Sequence, residues 1–196
     1  AIGSNEAVTV KTMMERDELE LSDEYQTSET IEALDKMKGI DIMETTSGDI
    51  IYLLLNNSKA PTDDEHIRKA LAYMLDYDVV CNQVYPNSKK ADSIISKNLL
   101  GHKKMTDYSF NIEKAKEEIA KSKYADNIQD YPIEVCWVAE TPDREKLALL
   151  IQAAADQIGV KVNVVKTPWA SVVEKSASAE TTPNVTTTWF AGDYSE

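Results

Sequence analysis

Apolar and polar residues follow one another along this chain in short blocks, and the period changes from block to block. Ala7–Lys11 (AVTVK) alternates residue by residue, which predicts a strand. Glu18–Ser22 (ELELS) also alternates and predicts a strand or an extended approach to a turn. Ser28–Lys38 switches to helical spacing, with Ile31, Leu34 and Met37 inward and Gly39 as the stop. Ile40–Thr45 sets apolar against acidic residues and predicts a half-buried strand. Asp49–Asn56 (DIIYLLLN) is a continuous apolar run bounded by turn formers, the pattern of a strand buried on both faces.

Asn57–Pro61 is turn chemistry, with the proline restricting the residue before it. Thr62-Asp63-Asp64-Glu65 then has the form of a capping box, Thr62 serving as the cap. Ile67, Ala70, Leu71, Met74 and Leu75 follow at helical intervals and predict one buried face. Tyr77–Tyr85 predicts a second short helix ended by Pro86, and Asn87–Ser109 a long irregular surface excursion. Asn111 caps a predicted helix over Ile112–Lys121. Tyr131–Ala139 predicts a strand, and Thr141-Pro142 opens the longest helix, with a stripe of Leu147, Leu150, Ile151, Ala154, Ala155 and Ile158 ended by Gly159. Val160–Lys166 alternates as a strand, Thr167-Pro168 starts a helix to about Ala177, and Thr186–Phe190 is a final strand. This β–α–β–α–β order predicts an α/β fold, a mixed or mostly parallel sheet flanked by helices. No Pro/Gly/Ser linker divides the chain, so residues 1–196 are expected to form a single domain.

Charge narrows the partners. A net charge of −13 disfavours nucleic acid and anionic membranes, which need clustered Lys and Arg. Cys81 and Cys136 both have apolar neighbours and read as free thiols, although a disulfide stays open at this point. Asp63, Asp64 and His66 lie close together in sequence. Acidic residues in a helix's first turn beside a solvated histidine account for them better than a metal site does. No GxSxG elbow, Gly-rich phosphate loop or dinucleotide fingerprint occurs, so the residues point away from an enzyme and imply no cofactor.

The stretch NNSKAPTDDEHIRKALAYMLD resembles a recurring segment of the family 5 extracellular solute-binding proteins, the receptors of oligopeptide, dipeptide and nickel ABC importers. Asn56, Pro61, Asp63, Asp64, Arg68, Ala70, Leu71, Tyr73 and Asp76 carry that pattern in order. Tyr108–Ala115 is similar to the family's Tyr-x-Tyr-Asp-x-x-Lys-Ala, with Phe110 and Asn111 as departures. Leu149–Val164 resembles its long helix, glycine and following strand, and Trp169 stands where an aromatic residue often follows.

The resemblance implies one lobe of a two-lobe, type II periplasmic-binding-protein-like fold. That lobe would be the carboxy-terminal one of a longer, extracytoplasmic receptor, either periplasmic or lipid-anchored, acting as a monomer. It implies capture of a peptide or similar small solute and delivery to ABC permease subunits, with the missing first lobe closing over the ligand. The alternative is the ligand-sensing domain of a transcription regulator or signalling receptor. The family's peptide receptors carry Trp-x-x-Asp-Tyr near the crossing between lobes, and the aspartate there pairs with the ligand's amino group. Here the run is Trp189-Phe190-Ala191-Gly192-Asp193-Tyr194, one residue longer. The resemblance therefore nominates Asp193, Trp189, Phe190 and Tyr194 as ligand-binding residues, with either Trp189 or Phe190 in the aromatic role.

Overall fold

The structure, a computed structural model, describes residues 7–22, 26–43, 49–86, 88–97, 99–105 and 107–190. Four strands form one sheet: β1 (Ile50–Leu55), β2 (Ile133–Val138), β3 (Val162–Thr167) and β4 (Val185–Phe190). Their order is β1-β4-β2-β3. β2 runs parallel to both β3 and β4, and β1 runs antiparallel to β4. The β2–α6–β3–α7–β4 order accounts for the three parallel strands, because each crossover helix returns the chain to the same starting edge.

The helices are α1 (Ala7–Glu15), α2 (Ser28–Asp35), α3 (Glu65–Met74), α4 (Tyr77–Val79), α5 (Ile112–Lys121), α6 (Arg144–Asp156) and α7 (Trp169–Lys175). α6 buries its apolar stripe against one sheet face, and α3 packs on α5 and α6 over the same core. Ile67, Ala70, Leu71 and Met74 meet Ala148, Ile151, Ala154 and Ala155 over Ile133, Val135, Trp137, Val162 and Val185. Each large aliphatic residue so buried contributes roughly 1.5–3 kcal/mol. The other face carries a smaller cluster of Cys136, Val138 and Val172, where α7 covers it.

Several expectations change on folding. Ala7–Lys11 is helical, not a strand; Val10, Met13 and Met14 lie at i, i+3 and i+4, and Val10 is buried. Five alternating residues also fit that spacing, so packing decides. Glu18–Ser22 and Ile40–Met43 form no strand, and Thr45 lies outside the described residues. In α2, Leu34 and Thr30 are buried, whereas Ile31 faces out. β1 is an edge strand with Ile51 and Leu54 exposed, not a strand buried on both faces. Its apolar run does not distinguish centre from edge, and the threonine-rich β4 takes the inner place instead.

Thr62 does not cap α3. The cap is Asp64, whose Oδ1 accepts the His66 backbone N–H at 2.8 Å. Thr62 is fully buried and its hydroxyl meets the Asn56 and Lys59 carbonyls at 2.6 and 3.0 Å. The Tyr77–Tyr85 helix divides into α4 and a π-helical turn, Val80–Val84. Regular helix in α6 starts at Arg144, two residues after Pro142. Asn111 caps α5 as expected, its Oδ1 accepting the Lys114 N–H at 2.9 Å. Cys81 and Cys136 are free thiols, and burial pushes the Cys136 thiol up.

Candidate functional site

Because β2, β3 and β4 are parallel, their carboxyl ends emerge along one edge of the sheet. Open α/β sheets place ligands outside that edge. Two connections among the described residues leave it, Ala139–Asp143 into α6 and Pro168 into α7, and β4 ends there at Phe190. The edge is aromatic. Trp169, the first residue of α7, is half-exposed, and its ring centre lies 6.3 Å from that of Trp189. The Glu140 carboxylate accepts the Trp169 backbone N–H at 3.0 and 3.2 Å, tying the β2 exit to the start of α7.

Trp189 and Phe190, both nominated by the sequence, point to opposite faces because successive strand residues alternate. Trp189 pairs across the ladder with Ile51 and lies under the Arg144 guanidinium, 4.6 Å from its ring centre. Phe190 is 59% exposed and meets Tyr52 edge-to-face, with ring centres 5.6 Å apart. The Tyr52 hydroxyl in turn donates to the Ile94 carbonyl at 2.7 Å, fixing the long surface excursion against β1. Asp193 and Tyr194 lie outside the described residues.

Two concavities adjoin the edge. One, of about 220 Å³, runs along the Phe190 face and is lined by Trp169, Val172, Leu54, Thr186, Thr188 and Phe190 among others. None of its lining residues is charged. The other, of about 100 Å³, lies on the Trp189 side between Gln26, Ile51, Tyr85, Thr141 and the Asp143-Arg144 start of α6. Burial pushes the Tyr85 phenol up to about 12, with Arg144 opposing part of that rise. Tyr85 therefore stays protonated at neutral pH and remains a hydrogen-bond donor.

Arg144 is the residue that sequence reasoning missed. A signal was present: a cation in the first turn of a helix opposes the helix dipole, so its charge needs a tertiary partner. Asp63, Asp64 and His66 are committed to structure. Asp63 binds the Lys123 ammonium at 2.6 Å and the Tyr124 hydroxyl at 2.7 Å, while Asp64 also accepts the Lys123 N–H at 3.0 Å. His66 Nδ1 donates to Glu118 Oε2 at 2.7 Å. Among the described residues no group of three or more His, Cys, Asp or Glu is arranged to hold a metal ion, and no helix is long and apolar enough to cross a membrane.

Comparison with known proteins places this geometry. Residues 2–196 match the family model described as bacterial extracellular solute-binding proteins, family 5 Middle. Heme-binding protein A of Haemophilus influenzae is 28% identical over 149 residues, spanning 74% of this chain and 27% of that protein. The dipeptide-binding protein of Escherichia coli is 27% identical over 163 residues, spanning 80% of this chain and 30% of that protein. The chain thus covers under a third of these relatives' length.

Among solved structures, the dipeptide binding protein of Pseudoalteromonas sp. SM9913 in complex with Met-Leu superposes with a TM-score of 0.83 at 20% identity, over 96% of this chain and 37% of that one. NikA of Staphylococcus aureus in complex with Ni(L-His)2 superposes with a TM-score of 0.78 at 16% identity, over 95% of this chain and 39% of that one. The fold is therefore that of type II periplasmic binding proteins. With the family model matched along nearly its whole length, the chain belongs to the family 5 bacterial extracellular solute-binding proteins.

Proposed function

We propose that these residues form the carboxy-terminal lobe of the substrate-binding component of an ABC importer. The lobe captures a peptide or similar small solute against a second lobe, and the receptor delivers it to membrane permease subunits. It binds its ligand and does not transform it. The supporting observation is the aromatic carboxyl edge of the parallel strands, where Trp169 follows β3 and Trp189 and Phe190 end β4, in a chain of a solute-receptor family. Such an edge offers large apolar contact area at low conformational cost, and hydrogen-bonding groups nearby supply orientation.

In this reading either Trp189 or Phe190 covers the ligand, and Asp193 pairs with its ammonium group as a charge-assisted hydrogen-bond acceptor, with Tyr194 beside it. Lobe closure follows from tighter contact with the closed state, which shifts the population toward it. The receptor works outside the cytoplasm, in the periplasm or anchored by lipid, as a monomer. Titration calorimetry of the full-length receptor with Met-Leu and with longer peptides tests the reading. Saturable binding that weakens on Asp193→Asn is expected. Absence of binding to every peptide length would overturn the peptide assignment.

A further inference from the structure

We propose that Arg144 is a positioning residue whose guanidinium sets the orientation of the Trp189 indole at the carboxyl edge. The inference rests on the reading of that edge as the ligand site, and it names a residue that the family pattern did not nominate. Trp189 lies near the end of β4 and pairs across the ladder with Ile51 of β1.

Arg144 packs over the Trp189 ring. It is only 4% exposed although it carries a permanent charge, and a buried charge persists only where it is compensated. Its guanidinium lies 4.6 Å from the Trp189 ring centre, and Nη1 reaches toward the Thr187 carbonyl at 3.4 Å. Both contacts are on β4, two residues apart, so one planar group grips the strand and the ring together. A guanidinium suits this role because it is weakly hydrated and stacks flat on an aromatic face.

The base of the grip is also anchored. Asp143 beside it accepts the Ser28 backbone N–H at 3.2 Å and forms an ion pair with Lys146 at 3.0 Å, while Glu29 holds Lys146 from the far side at 2.7 Å. The start of α6 is thus fixed to α2 before Arg144 reaches β4. An indole held in one orientation need not be ordered when a ligand arrives, which preserves affinity.

The test reads the ring directly. The chain has three tryptophans, so a nitrogen–proton spectrum shows three indole signals, assigned with Trp189→Phe. Arg144→Met and Arg144→Gln are expected to shift or broaden the Trp189 signal and leave Trp137 in place. Arg144→Lys, which keeps the cation, is expected to restore it. If Met at this position prevents folding, the Gln variant carries the same reading. A Trp189 signal unchanged in a folded neutral variant would overturn the proposal, as would a Lys variant as displaced as the neutral ones. In the full-length receptor, the neutral variants should weaken Met-Leu binding about fivefold, the scale of one cation–π contact. Failure of the unsubstituted receptor to bind Met-Leu would count against the peptide reading, while the ligand-free spectra still decide the role of Arg144.

Discussion

At the scale of single residues, two buried polar side chains explain how the segment most characteristic of this family is held. Asn184 is 2% exposed. Its Oδ1 accepts the Glu134 N–H at 3.1 Å, and its Nδ2 donates to the Ala60 carbonyl at 2.9 Å and to Thr62 Oγ1 at 3.1 Å. One amide thereby joins β2, the entry to β4 and the turn between β1 and α3, which contains the cis Ala60–Pro61 bond. Asn184→Ala leaves these partners buried and unsatisfied, and a loss of about 2–4 kcal/mol in urea unfolding is expected. A loss below about 0.5 kcal/mol would show that the network contributes nothing net. Nothing in the pattern of Asn184 and Thr62 in sequence announces this pairing, because the two residues are 122 positions apart.

Glu118 supplies a second residue-scale prediction. Hydrogen bonds from His66 and then Lys121 lower its carboxyl from the ordinary 4.5 to about 2. A carboxylate held lower in the folded state stabilises the fold at pH above 4.5, and the contribution fades as pH falls toward about 2. Glu118→Gln should therefore narrow the stability difference between pH 5 and pH 2 in thermal melts. An acid limb of unchanged steepness would remove Glu118 from the account.

Elements show where local pattern suffices and where it misleads. The buried faces of α3 and α6 follow their apolar spacing, because a stripe at helical intervals has one way to be buried. The boundaries depend on finer chemistry. Thr62 and Asp64 are both good capping residues, and the sequence alone favours Thr62 through Glu65. Thr62 is instead drawn inward to the Asn56 carbonyl, leaving Asp64 as the cap. Asp64→Ala is accordingly expected to cost about 1–2 kcal/mol, whereas a cap at Thr62 would make it nearly neutral. Chemical denaturation of Asp64→Ala, read with helical circular dichroism, separates these cases. The strand expected at Ala7–Lys11 illustrates the reverse error, since a short alternating run carries too little information to exclude a helix.

For the whole molecule, the decisive features are the parallel carboxyl edge and the small share of a family receptor that these residues make up. On the proposed reading, a receptor that encloses its ligand between two lobes divides the contacts between them. The 196-residue chain by itself is then expected to bind a peptide far more weakly than a full-length receptor containing it. Tight binding by the isolated chain in calorimetry would argue against the single-lobe reading.

The sequence by itself determined the α/β class, the succession of the last three strands along the chain and the buried faces of α3 and α6, which rest on periodicity, and the resemblance to the family, which rests on residues close together in the chain. Tertiary structure alone decided that the apolar β1 stands at an edge and the threonine-rich β4 lies inside. It also decided that Thr62 joins Asn184, and that Arg144 meets Trp189. Each of these depends on partners distant in sequence, whose pairing is set by sheet register and burial, and no local pattern encodes it.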